Sequence, residues 1–206
     1  MLLSSLLVAV ISAAAVSAAS PDVQSRPLIV AFGDSLTSGR GLEAAQAFPA
    51  LLQQRLDDEG FDYAMVNAGV SGDTTTRALR RLELALDGDV RVLIVALGAN
   101  DGLRGVPVEQ LKANLSRIIE AAQARGIAVM LCGMEALPIH GWPYTVAFHK
   151  AYGELAELYK VPLVPFVLMK IITNPQMMQP DRAHPTLAAP RLPPSDCRAS
   201  RRFQVR

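Results

Sequence analysis

The sequence predicts an α/β fold of the flavodoxin-like kind: three layers, a five-stranded parallel sheet in the order 2-1-3-4-5, and helices on both faces. Two observations carry this. Short apolar runs alternate along the chain with segments whose apolar residues recur at helical spacing, and no internal repeat interrupts the alternation. The run Val90 to Leu97 is apolar throughout except at Arg91, as a parallel strand covered on both faces should be. A length of 206 residues suits one domain with a full core and does not require two.

The elements follow in order. Leu28 to Phe32 is a core strand, and Gly33 allows a sharp turn after it. Phe48 to Glu59 carries Leu51, Leu52 and Leu56 at helical spacing and stops at Gly60. Tyr63 to Asn67 is a short second strand. Thr74 to Leu86, with Leu79, Leu82 and Leu86, predicts one helix capped by Asp73 or Thr74. After the third strand, Pro107 starts a long helix with Leu111, Leu115, Ile118, Ile119 and Ala122 on one face, and Gly126 ends it. Strand Ile127 to Cys132, helix Tyr144 to Tyr159 and strand Leu163 to Phe166 complete the series.

The ends differ from this body. Leu6 to Val16 is apolar but too short to span a bilayer comfortably, and small residues follow at Val16-Ser17-Ala18-Ala19. Residues 1–19 therefore read as a signal peptide, which predicts a periplasmic or secreted protein without a stable membrane anchor after cleavage. Residues 27–189 form the folded domain. Residues 190–206 read as a disordered basic tail, with Pro190, Pro193 and Pro194 precluding a regular helix. The formal net charge is +1, but Arg191, Arg198, Arg201, Arg202 and Arg206 stand in that tail, so the body is mildly acidic. Such a body argues against nucleic acid as a partner. Cys132 and Cys197 read as free thiols, and no Cys/His spacing suggests zinc. The sequence leaves the oligomeric state open.

Chemistry concentrates at strand ends. In the expected sheet order the loops after strands one, two and three meet at the switch point. They carry Ser35, then Ser71-Gly72-Asp73-Thr74, then Gly98-Ala99-Asn100-Asp101. Asp181 and His184 come from beyond the fifth strand. A serine hydroxyl is a poor nucleophile near neutral pH unless a base takes its proton. Histidine can do that and return the proton to a leaving group, while an aspartate fixes its tautomer. The residues thus predict a serine hydrolase with chain order Ser…Asp…His. Taken singly, each has a plainer reading as a cap, a turn former or a loop residue, and Asn100-Asp101-Gly102 alone is a turn signal.

Together, Gly33-Asp34-Ser35-Leu36, Gly72, Gly98-Ala99-Asn100-Asp101 and Asp181-x-x-His184-Pro185 resemble the four blocks of the GDSL or SGNH hydrolase family. The nearest branch is the small bacterial thioesterase, lysophospholipase and arylesterase group. The resemblance runs in order from about Leu28 to Ala188. It implies Ser35 as nucleophile, His184 as base, Asp181 orienting His184, and an oxyanion hole from the amides of Ser35 and Gly72 and the side chain of Asn100. It implies no metal and no organic cofactor, and a small-molecule acyl ester or thioester as substrate. Trp142, Leu137 and Ile139 after the fourth strand, and Leu103 in the loop Gly102 to Gly105, are candidates to contact the acyl chain. That loop's glycines predict movement over the substrate. Asp34 is expected to accept hydrogen bonds that shape the turn, and His149 to be a surface or packing residue. A carbohydrate O-deacetylase and a weakly catalytic ligand-binding member share this pattern and remain alternatives. The family's closing C-terminal helix is expected to be missing here.

Overall fold

A computed structural model describes residues 26–166, 168 and 171–186. The signal peptide, the tail with Cys197, and the expected loss of the closing helix lie outside these residues. Five strands form one parallel sheet in the order β2-β1-β3-β4-β5. In chain order the elements are β1 (Leu28–Gly33), α1 (Ser35–Ser38), α2 (Phe48–Asp58), β2 (Ala64–Gly69), α3 (Thr75–Leu79), α4 (Leu82–Ala85), β3 (Val90–Ala96), α5 (Ala99–Arg104), α6 (Val108–Ala124), β4 (Ala128–Cys132), α7 (Trp142–Tyr159) and β5 (Leu163–Val164).

Side-chain alternation along the strands decides where the core sits. Val30 and Phe32 of β1, Leu93 and Val95 of β3, and Val129 and Leu131 of β4 join one cluster with Leu82 of α4, Leu111, Leu115, Ile118 and Ile119 of α6, and Phe148, Tyr152 and Leu155 of α7. Ile29, Ala31 and Ile94 alternate with them and are buried outside that cluster. On the β2 edge, α2 is tied to the sheet by Gln53, whose Oε1 accepts from Met65 N at 2.6 Å and whose Nε2 donates to Tyr63 O at 3.1 Å.

Two local expectations change. Thr74 to Leu86 is not one helix but two short ones: α3, capped by the Thr74 side chain accepting from Arg77 N, and α4. The break falls at Arg80–Arg81. The Arg81 guanidinium reaches back to the ends of β1 and β2 from there, so tertiary hydrogen bonds override helix continuity. Residues 99–104 are likewise helical where a turn and a mobile loop were expected. Gly102 is buried, and a side chain there would stand 3.2 Å from both Ala136 and Phe148. Its lack of a side chain allows this close packing.

Candidate active site

The sheet register brings three loops together. Gly33, the last residue of β1, pairs with Gly69 at the end of β2 and with Ala96 at the end of β3. Ser35 opens α1, and Asp34 caps that helix by accepting from Leu36 N at 3.0 Å. α1 lies so close to the sheet that a Cβ at Gly33 would fall 1.9 Å from Thr37 Oγ1, so only glycine lets the chain turn here. Ser38 Oγ lies 3.0 Å from Ser71 Oγ, joining the turn to the loop after β2.

The histidine arrives from the far end of the chain. His184 is buried, and its Nε2 lies 2.8 Å from Ser35 Oγ while its Nδ1 lies 2.6 Å from Asp181 Oδ2. Asp181 Oδ1 also accepts from the backbone N–H groups of Ala183 and His184. The Ala183 N–H above all, then the imidazole, holds the Asp181 carboxyl down to about 2. An ionised carboxylate only accepts, so the proton between the two residues sits on Nδ1. A neutral imidazole then offers Nε2 as an acceptor to the Ser35 hydroxyl.

The segment carrying His184 is a small looped-back unit. Met178 bridges Pro185, and Thr186 N donates to Met177 O at 2.8 Å. Gln179 pins it to the turn after α1, its Nε2 donating to Arg40 O at 2.8 Å and to Pro185 O at 3.0 Å. Leu168, Ile171 and Met178 form a second, minor apolar cluster, and Leu36 packs against both this cluster and the main core. The neighbour of Ser35 therefore supports both halves of the site.

The amide donors lie on the sheet side. Asn100, in the first turn of α5, donates through Nδ2 to Asp34 Oδ2 at 3.4 Å. Its amide carries two hydrogens, so the second is available to a ligand. Asp34 is fully buried, and that burial pushes its carboxyl up to about 6 against the opposing Leu36 N–H, His184 and Asn100. Gly72 has φ +82°, a backbone state that sets the direction of its N–H and that side-chain-bearing residues rarely adopt. Arg104 Nη2 holds the Gly72 carbonyl at 3.1 Å.

Sequence reasoning passed over the groups that brace these loops. Arg81 donates to Gly33 O at 2.8 Å, Ala68 O at 2.7 Å and Asp73 Oδ2 at 2.7 Å, with its guanidinium 4.4 Å from the centroid of the Phe32 ring. It ties the ends of β1 and β2 to the residue following Gly72. The available signal was an arginine inside the apolar series Leu79, Leu82, Leu86. A second brace lies beneath α5. Asp101, fully buried, accepts from Thr75 N at 2.9 Å and Thr75 Oγ1 at 2.6 Å, and Asn114 Nδ2 donates to that same Thr75 Oγ1. Nothing in the sequence pairs these residues, because they meet only after α3, α5 and α6 pack.

Leu103 of α5, Ile139 after β4 and Trp142 at the start of α7 are exposed, and His140 Nε2 lies 3.2 Å from Leu103 O. His149 is an exposed surface residue paired with Glu135 at 2.6 Å. Cys132 is a free thiol whose burial pushes it up to about 12. Among the described residues no group of three or more His, Cys, Asp or Glu could hold a metal ion.

A parallel sheet whose strand ends gather a serine, a histidine–aspartate pair and amide donors defines a hydrolase of the α/β class. The chain belongs to the GDSL-like Lipase/Acylhydrolase family, whose model matches residues 31–192. It is 45% identical over 166 residues to Esterase TesA of Pseudomonas aeruginosa, covering 80% of this chain and 83% of the relative. It is 35% identical over 158 residues to Thioesterase 1/protease 1/lysophospholipase L1 of Escherichia coli strain K12, covering 76% of this chain and 74% of the relative. Among solved structures, the psychrotrophic esterase EstA from Pseudoalteromonas sp., inhibited by monoethylphosphonate, superimposes with a TM-score of 0.78 at 31% identity, covering 85% of this chain and 96% of that one. The protein is an ester hydrolase of this family.

Proposed function

We propose that the protein cleaves acyl esters, and thioesters as well, through an acyl-serine intermediate on Ser35. The Ser35 hydroxyl passes its proton to His184 Nε2 as Oγ attacks the acyl carbonyl carbon. The carbonyl oxygen takes up negative charge and is met by the N–H groups of Ser35 and Gly72 and by the free amide hydrogen of Asn100. When the tetrahedral intermediate collapses, the alcohol or thiol leaves with the proton from His184. Water then attacks the acyl-enzyme, giving its proton to the same nitrogen, and the free acid departs with Ser35 restored. Asp181 keeps His184 in the required tautomer.

The observation that supports this most directly is the unbroken chain from Ser35 Oγ through His184 to Asp181, at 2.8 Å and 2.6 Å, between residues 149 apart in sequence. The thioester arm follows the relative whose name includes thioesterase. Exposed Leu103, Ile139 and Trp142 favour a fatty acyl chain over an acetylated sugar. Export is part of the same proposal, and the amino-terminal sequence of the mature protein tests it, a start after Ala18 or Ala19 being expected.

The chemistry is tested by nitrophenyl-ester hydrolysis and by labelling with a fluorophosphonate. Ser35→Ala and His184→Ala should each lower kcat by on the order of 10⁴-fold or more without unfolding the chain, and Ser35→Ala should lose the label. A fluorophosphonate adduct on another residue, or wild-type turnover in either variant, would sink the assignment.

A further inference from the structure

Gly72 stands at the tip of a type II turn. Asp73 N donates to Val70 O at 3.1 Å, and of the two central residues only Gly72 has a positive φ, +82°. That conformation aims the N–H proposed to meet the oxyanion. Glycine has more backbone freedom than any other residue, so it does not hold one state by itself. The ends of the loop are fixed from outside. Val70 N donates to Gly33 O at 3.0 Å before the turn, and Thr75 binds Asp101 through N and Oγ1 after it. On the α1 side Ser71 Oγ meets Ser38 Oγ. The Gly72 carbonyl is held from the α5 side, by Arg104 Nη2 at 3.1 Å.

Arg104 links the two loops that carry the amide donors. It follows Asn100 by four residues in α5, the spacing that sets two side chains on one face of a helix. One helix therefore bears both the Asn100 amide and the arm that reaches the Gly72 turn. The root of that arm is pinned. His140 Nε2 lies 3.2 Å from Leu103 O, and the Tyr144 hydroxyl donates to Val106 O at 2.9 Å. A Cβ at Gly105, the C-cap of α5, would stand 2.8 Å from the His140 ring. Arg104 itself is exposed, and among the described residues its one hydrogen-bond acceptor is Gly72 O.

We propose that Arg104 is a positioning residue for ester cleavage: by holding the Gly72 carbonyl it fixes the Gly72 N–H relative to the Asn100 amide, so that both donors are in place before the oxyanion forms. This deepens the acyl-serine reading and rests on it, although the contact itself requires no turnover.

Arg104→Ala and Arg104→Gln are compared with the native chain on a soluble nitrophenyl ester. In each, kcat should fall about tenfold, less than the ~10²–10³ for losing a donor outright, with KM within about twofold. Tm and the pH dependence of kcat should stay where they are, since His184 keeps its partners. Arg104→Lys, which still carries a donor to the carbonyl, should recover most of the rate. In a Gly72→Ala background the side chain disfavours the positive φ and the N–H is already displaced. Removing Arg104 there should cost no more than about twofold further. The Gly72 amide resonance should shift or broaden in Arg104→Ala. Native kcat in both variants, or an unmoved Gly72 amide, overturns the proposal. So does a higher KM at constant kcat, which would make Arg104 a group that binds substrate. An undiminished loss in the Gly72→Ala background also overturns it, because a long-range charge would act in that way. Native turnover in Ser35→Ala would instead remove the acyl-serine reading, and the Gly72 amide would then decide the contact alone.

Discussion

The two halves of the site are held by different means. Ser35, Gly72 and Asn100 stand on the ends of β1, β2 and β3, directly over the main core, with Arg81 and Asp101 bracing the loops from below. His184 and Asp181 stand on a looped-back segment held by Leu168, Ile171 and Met178 and by the side chain of Gln179. One half sits on the main core; among the described residues the other is held by the minor apolar cluster and by Gln179. The difference predicts that global stability and the alignment of His184 with Ser35 respond separately to substitution.

Leu115 is fully buried in α6, and Leu115→Ala should cost ~2–5 kcal/mol of unfolding free energy. Thermal unfolding should show it, with kcat little changed well below Tm. Asn100→Ala should act in the opposite way, lowering kcat by ~10²–10³ with KM and Tm nearly constant. Met178→Ala tests the histidine half. Amide exchange across residues 177–186 should accelerate and kcat fall about tenfold, while Tm moves little. A Tm loss as large as that of Leu115→Ala would show that the two halves unfold as one.

The carboxylates of the two halves sharpen the comparison further, because they shift in opposite directions. Asp34, buried in the sheet half, is raised to about 6, so the charge that folding must bury appears as pH rises through that value. Below its ordinary value of 3.8 the group is neutral in both states and the cost vanishes. Asp34→Asn should therefore gain stability relative to the parent as pH rises from about 4 to 7, in a step of at most roughly 3 kcal/mol. It should also lose kcat, since an amide would then face the amide of Asn100. Asp181 is lowered to about 2, so its contribution is complete above 3.8 and is lost only as pH falls through about 2. Tm against pH for Asp181→Asn should accordingly run parallel to the parent from about pH 4 upward.

Much of this was legible before any coordinates. Strand and helix periodicity placed a parallel sheet with helices on both faces, and the order 2-1-3-4-5 is that of the flavodoxin-like fold. The four polar blocks at strand ends named Ser35, Gly72, Asn100, Asp181 and His184 as residues that would meet. The misreadings occurred where long-range bonds outweigh local preference. Arg81 interrupts a helix that its neighbours would have continued, and α5 forms where Asn100-Asp101-Gly102 signals a turn, since Asp101 binds Thr75 from another element.

By itself, then, the order of residues determined the kind of fold and the candidate side chains for the chemistry, because both depend on local periodicity and on residue type. It took the packed chain to decide that Asp34 is buried while Asp181 is exposed, and that Arg81 braces the ends of β1 and β2. Those properties depend on distances between segments far apart in the chain, and a linear pattern holds no record of such distances until the core has packed.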